Sequence, residues 1–168
     1  KVKYPRLSGT NVARDFVEAP SQMLEEWGWS RETLDTFAKH YQTNALIPEA
    51  LFDAMQRSRG FGIGLQTQRQ LFLAALDQTY HTRAPGFDTT QVLKEVQNDY
   101  LPFKYVEGTH FQATFGHLIG YDAGYYGYQW ALSIARDLFT RFERDGIMNT
   151  KTAADYRANV LAKGGSDE

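Results

Sequence analysis

The sequence has 168 residues, enough for one domain of ordinary size or a piece of a larger one. Lys and Arg number 18 against 20 Asp and Glu, a near-balance that leaves no basic footprint for nucleic acid. Cysteine is absent, which excludes disulfides, thiolate metal sites and a cysteine nucleophile, and no apolar run approaches the ~20 residues that span a bilayer.

Apolar spacing predicts helices almost throughout. Residues 12–29 carry Phe16, Met23, Leu24 and Trp27 at helical spacings, with Pro20 expected to end or kink that helix near Ala19. Ser30 is a predicted N-cap for a second helix through Leu34, Phe37 and Ala38 to Tyr41. Pro48 suits the first turn of a third, with Leu51, Phe52 and Met55 as its apolar stripe. After a glycine-broken link at 59–64, residues 65–80 hold Leu65, Phe72, Leu76 and Tyr80 in a long amphipathic pattern. Pro85-Gly86 marks a turn, and Asp88 followed by Gln91 resembles a capping box opening a helix to Tyr100.

Residues 101–124 have no convincing period and contain Pro102, Gly108, Gly116, Gly120 and Gly124. Helical spacing returns over 125–144 and stops at Asp145-Gly146. Asn149 or Thr150 can cap a last helix reaching about Lys163, before a turn-forming end from Gly164 to Glu168. No segment alternates with period two, so the fold class is all-α, with at most a short strand near Tyr105. Residues 1–6 show neither the apolar stretch of a signal peptide nor an amphipathic transit pattern, and a cytoplasmic setting is expected.

Two segments carry candidate chemistry. Asp15, Glu18 and Gln22 stand at spacings of three and four, so on a helix they would share one face. A carboxylate on that face could ligate a metal, with Asp15 and Ser21 orienting it. The same spacing also fits a solvated acidic face. The second segment, residues 115–130, packs four Tyr and four Gly into sixteen positions. Tyr121, Tyr125 and Tyr128 lie four and three apart, which on a helix would align their hydroxyls. Gly116 and Gly120 let backbone approach a ligand closely, and His117 adds a donor. Such a set suits the developing oxyanion of peptide hydrolysis. An aromatic helix face buried in a core is the alternative, although each interior glycine would disfavour such a helix by ~1 kcal/mol.

The string Phe16-Val17-Glu18-Ala19-Pro20-Ser21-Gln22, preceded by Ser8-Gly9-Thr10 and Arg14-Asp15, resembles the M3 family of zinc metallopeptidases, which holds thimet oligopeptidase, neurolysin and bacterial oligopeptidases. The glycine-rich loop with His117, Tyr121, Tyr125 and Tyr128 resembles the same family, as do Arg69-Gln70, Asp77-Gln78 and His81, Phe139-Thr140-Arg141-Phe142 and Leu161-Ala162-Lys163-Gly164-Gly165-Ser166. The loop is one residue shorter before Tyr121 than in animal members of that family.

The resemblance implies that Glu18 is a zinc ligand, with Asp15 and Ser21 beside it. It implies that His117, Tyr121 and Tyr128 stabilise the transition state and that Tyr125 binds the substrate, a short peptide; Gly116 and Gly120 are expected to bind it through their close backbone approach. Zinc in hydrolases is commonly held by two His and one Glu, with the fourth position left to water.

The family's H-E-x-x-H lies further upstream than the 17 residues preceding Glu18, and none of the four histidines here is followed by Glu. His40 and His81 read as ordinary helix or surface residues, and His110 as structural. Residues 1–168 are therefore expected to be the C-terminal portion of a zincin-type catalytic domain, inactive and weak in zinc binding without its upstream part. Helices lacking that partner would expose apolar faces, so self-association is expected. The alternative is a non-catalytic helical module that binds peptides without metal.

Overall fold

The computed structural model describes residues 2–166; Lys1 and the final Asp167-Glu168 of the turn-forming end lie outside them. Seven α-helices form among the described residues: α1 (Ala19–Glu25), α2 (Arg31–Phe37), α3 (Glu49–Arg59), α4 (Ile63–Thr82), α5 (Thr89–Tyr100), α6 (Gly127–Asp145) and α7 (Thr150–Tyr156). The all-α expectation holds.

Local chemistry sets the helix ends. Ser30 Oγ accepts the Thr33 N–H at 3.5 Å, and Asn149 Oδ1 accepts those of Lys151 and Thr152 at 3.0 Å. Asp88 Oδ1 accepts the Thr90 and Gln91 N–H groups at 2.8 and 3.1 Å. The Gln91 side chain donates to Glu95, so the expected capping box is satisfied from the Asp88 side only. Gly146, at φ +104°, takes the left-handed conformation that closes α6.

Four expectations are corrected. Pro20 does not end a helix: it sits in the first turn of α1, where its missing N–H has no helical partner to lose. Residues 14–18 before it form turns, so Asp15 and Glu18 are not carried on one continuous helix. No strand forms near Tyr105 among the described residues. There Asn98 Oδ1 accepts the Tyr105 N–H at 2.9 Å and Lys104 Nζ donates to the Asn98 carbonyl at 2.7 Å. Contacts to α5, and not a partner strand, therefore satisfy that segment; an isolated antiparallel bridge joins Lys39 and Leu46 instead. Finally, α7 stops at Tyr156 and passes into a π-turn over Arg157–Leu161, short of Lys163.

The chain divides into two compact units, one of Lys1–Phe61 with Trp130–Glu168, the other Gly62–Gln129. In the first, Met23 of α1 packs with Ala135 and Phe142 of α6. Trp27 meets Phe139 and Phe142 edge-on at 5.4 and 4.8 Å and donates its indole N–H to the Ile147 carbonyl at 3.0 Å. Asp145, hydrogen-bonded to Arg144 and Thr152, has its carboxyl pulled down to about 2.

In the second, Phe72, Leu73 and Leu76 of α4 pack on Val92, Leu93 and Val96 of α5, with Phe115 and Tyr125 from the long loop completing the core. Leu93 is fully buried there. Leu93→Ala is expected to lower stability by about 3 kcal/mol, read as a lower urea midpoint. An unchanged midpoint would mean this core does not hold the second unit together.

Candidate active site

The second unit builds the tyrosine cluster from α4 outward. Asp77 is fully buried on that helix, and its carboxylate accepts the Ala123 N–H and the Tyr125 N–H, both at 2.9 Å. Gln78 Nε2 donates to the Ala123 carbonyl at 2.8 Å. His81, one turn on, places Nδ1 3.0 Å from Asp77 Oδ1 and 2.8 Å from the Asp77 carbonyl. With these donors directed at it, a carboxylate in an apolar helix face becomes a clamp on loop backbone. Ala123 sits at φ +53°, a left-handed conformation uncommon outside glycine, held by those two helix side chains.

The clamp gathers the aromatic side chains around His117. Its ring lies 5.0 Å from Tyr125, 5.7 Å from Tyr128 and 5.8 Å from Tyr121, each edge-on. Tyr121 stacks on Tyr128 at 5.3 Å, and His117 Nε2 shares a 3.2 Å hydrogen bond with Tyr128 Oη. In the Nε2–H tautomer the imidazole donates to the phenol oxygen, which makes the phenol a stronger donor in turn. Tyr125 is 7 % exposed and donates its hydroxyl to Gln70 Oε1 at 3.0 Å. Burial pushes the Tyr125 phenol above its usual range, opposed by nearby Arg69 and the Gln70 hydrogen bond, so it stays protonated.

Only Tyr128 of the three tyrosines belongs to α6; Tyr121 and Tyr125 precede it. Their convergence comes from a folded-back loop, not from the helical face that the spacing predicts. The loop borders an open cleft of about 710 Å³, whose walls include His117, Tyr121, Tyr125, Gly116 and Gly120. Tyr128 is outside that lining and reaches it through His117 and Tyr121. Tyr126 is exposed. His110 lies 3.4 Å from Thr90 Oγ1, at the start of α5.

Glu18 belongs to the first unit. It occupies the turn before α1 at φ −93°, ψ 0°, and is half-buried. Ser21 Oγ donates to Glu18 Oε2 at 2.8 Å and to the Glu18 carbonyl at 2.9 Å, which fixes the direction of the carboxylate. Asp15 lines a separate cleft of about 370 Å³ between Val12 and Phe16 on one side and Asn159 and Val160 on the other. Among the described residues no three His, Cys, Asp or Glu side chains converge into a metal site.

Sequence reasoning left Asp77, Gln78 and Gln70 without roles, and read His81 as an ordinary helix or surface residue. A carboxylate next to Leu76 in an apolar stripe, with a histidine four residues on, was the available signal.

The chain is a member of peptidase family M3, whose model matches residues 1–168. It is 32% identical over 170 residues to the mitochondrial intermediate peptidase of Arabidopsis thaliana, covering 100% of this chain and 24% of that protein. It is 34% identical over 171 residues to a thimet-like oligopeptidase of Dictyostelium discoideum (99% of this chain, 25% of that protein). Oligopeptidase A of Escherichia coli is also 34% identical, over 164 residues (95% and 24%). The chain thus spans about a quarter of the length of the curated relatives it matches.

Proposed function

We propose that this chain is part of a zinc-dependent peptidase catalytic domain acting on short peptides. Glu18 would be one protein ligand of the metal; His117, Tyr121, Tyr125 and Tyr128 would hold the peptide. The observation that carries the reading is the convergence of His117 with three tyrosines, of which Tyr121 and Tyr125 line the cleft.

The residues present fit the metal in part. A carboxylate is a suitable zinc donor, and the Ser21 hydrogen bond pre-orients it as the partners of ligating side chains do. When bound, zinc would supply Lewis-acid polarisation of the scissile carbonyl and a water of lowered pKa. The Tyr128 hydroxyl, polarised by His117, would donate to the oxygen on which charge develops. Tyr125, whose proton goes to Gln70, offers the substrate its phenol oxygen as an acceptor and its ring as a wall. Gly116 and Gly120 admit extended peptide backbone beside them.

The remaining ligands and the general base would come from the upstream part of the same domain. No described helix is long and apolar enough to cross a membrane. A cytoplasmic setting remains our expectation, beside relatives that are mitochondrial by name.

The test uses the intact polypeptide. Wild type is expected to carry zinc and to cleave short peptides in an EDTA-sensitive way, and Glu18→Gln to lose most of both. Full zinc occupancy in Glu18→Gln would remove the ligand assignment.

For the isolated chain a second reading, peptide binding without hydrolysis, is favoured by the lack of a three-ligand cluster among the described residues. Peptide affinity that EDTA leaves unchanged would support it. Exposed side chains such as Phe37 (67 % exposed), Phe61 (84 %) and Trp130 (60 %) support self-association of the isolated chain. Sizing at rising concentration should then show species larger than a monomer, and a concentration-independent monomer would refute it.

A further inference from the structure

The cleft beside His117 carries charge of one sign. Arg69, on α4, lines it, and no acidic side chain does among the described residues. Arg69 is exposed, and its guanidinium acts on the Tyr125 phenol strongly enough to offset part of the effect of burial there. Two carboxylates of α4 and the loop are otherwise engaged. Asp77 is buried on the loop amides, and Asp122 accepts the Gly120 N–H at 3.2 Å. Around the guanidinium the cleft wall is apolar: Leu73, one turn along α4, with Phe111, Phe115 and Ile119. Ile119 is 89 % exposed, so its side chain is open to a ligand in the cleft.

We propose that Arg69 is a specificity determinant of this cleft, binding a carboxylate of the peptide while Leu73, Phe111, Phe115 and Ile119 receive an apolar side chain beside it. Arginine suits the task because its planar fork can pair both carboxylate oxygens and remains charged at any working pH. The carboxylate is either the peptide's C-terminus or an acidic side chain. The proposal rests on the peptide-binding reading of the cleft and adds which peptides it takes.

Three fluorescein-labelled probes separate these sources: Ala-Ala-Ala-Phe as the free acid, the same peptide as its C-terminal amide, and Ala-Asp-Ala-Phe amide. Their affinities for the intact polypeptide are measured by anisotropy with EDTA present, so that nothing is cleaved. One of the two carboxylate-bearing probes is expected to bind about tenfold more tightly than the neutral amide, and which one identifies the source. Arg69→Gln should bring that ratio to about one, and Arg69→Lys should restore part of it. Equal affinity for all three probes in wild type, or a ratio that survives Arg69→Gln, overturns the proposal and leaves the peptide-binding reading standing. Failure to bind any of the three overturns both.

Discussion

Replacing Asp77 with alanine is expected to lower stability by about 3 kcal/mol or more and to reduce peptide cleavage by the intact polypeptide at least ~100-fold. The substitution strips the acceptor from two backbone amides, those of Ala123 and Tyr125, and leaves His81 only the backbone carbonyl of residue 77 as a partner. The Tyr125 amide bond is buried, so its N–H would face no replacement acceptor. Loss of the clamp also lets the loop depart from the conformation that sets Tyr121 and Tyr125 around His117.

Asp77→Asn should fall between wild type and Asp77→Ala. An amide oxygen can keep one of the two bonds, while its NH₂ group opposes the other donor. Urea denaturation and steady-state kinetics on the same preparations check both effects. If Asp77→Ala matched wild type in midpoint and turnover, the carboxylate would not be what positions the loop.

The second large effect concerns Tyr128. Tyr128→Phe keeps a ring to stack on Tyr121 and to meet the edge of His117, and deletes only the hydroxyl. Fold and KM should therefore change little, while kcat falls about 10²–10³-fold. Tyr125→Phe offers the contrast. Its hydroxyl is committed to Gln70 within the protein, so its loss should reduce stability by about 1 kcal/mol and affect turnover far less. Reversal of that ranking would move the donor role from Tyr128 to Tyr125.

The helices were legible because their signals are local. Ser30, Asp88, Asn149 and Gly146 cap or close helices by hydrogen bonds and dihedrals that involve only their neighbours. Pro20 was ambiguous by the same logic, since one residue type both stops a helix and starts one. The candidate residues of the tyrosine loop could be named from composition and from the family resemblance, but their arrangement could not. Helical spacing predicted a hydroxyl face. The loop instead turns back because Asp77 and Gln78 hold Ala123 and Tyr125 from 45 to 48 positions away. No window of sequence contains both ends of such a bond. Glu18 was nominated through its surrounding string, and its hydrogen bond to Ser21 spans three positions, which is short enough to read.

The clamp has a consequence for how the second unit exchanges with heavy water. Irregular segments ordinarily give up their amide protons quickly, because brief local fraying is enough to expose them. Here the Ala123 and Tyr125 protons point at an oxygen on α4, the latter out of solvent. Deuterium can replace them only when the loop leaves the helix, so their protection factors would belong with those of α4. A stretch that looks like a surface turn in the sequence would report as slow, cooperative interior.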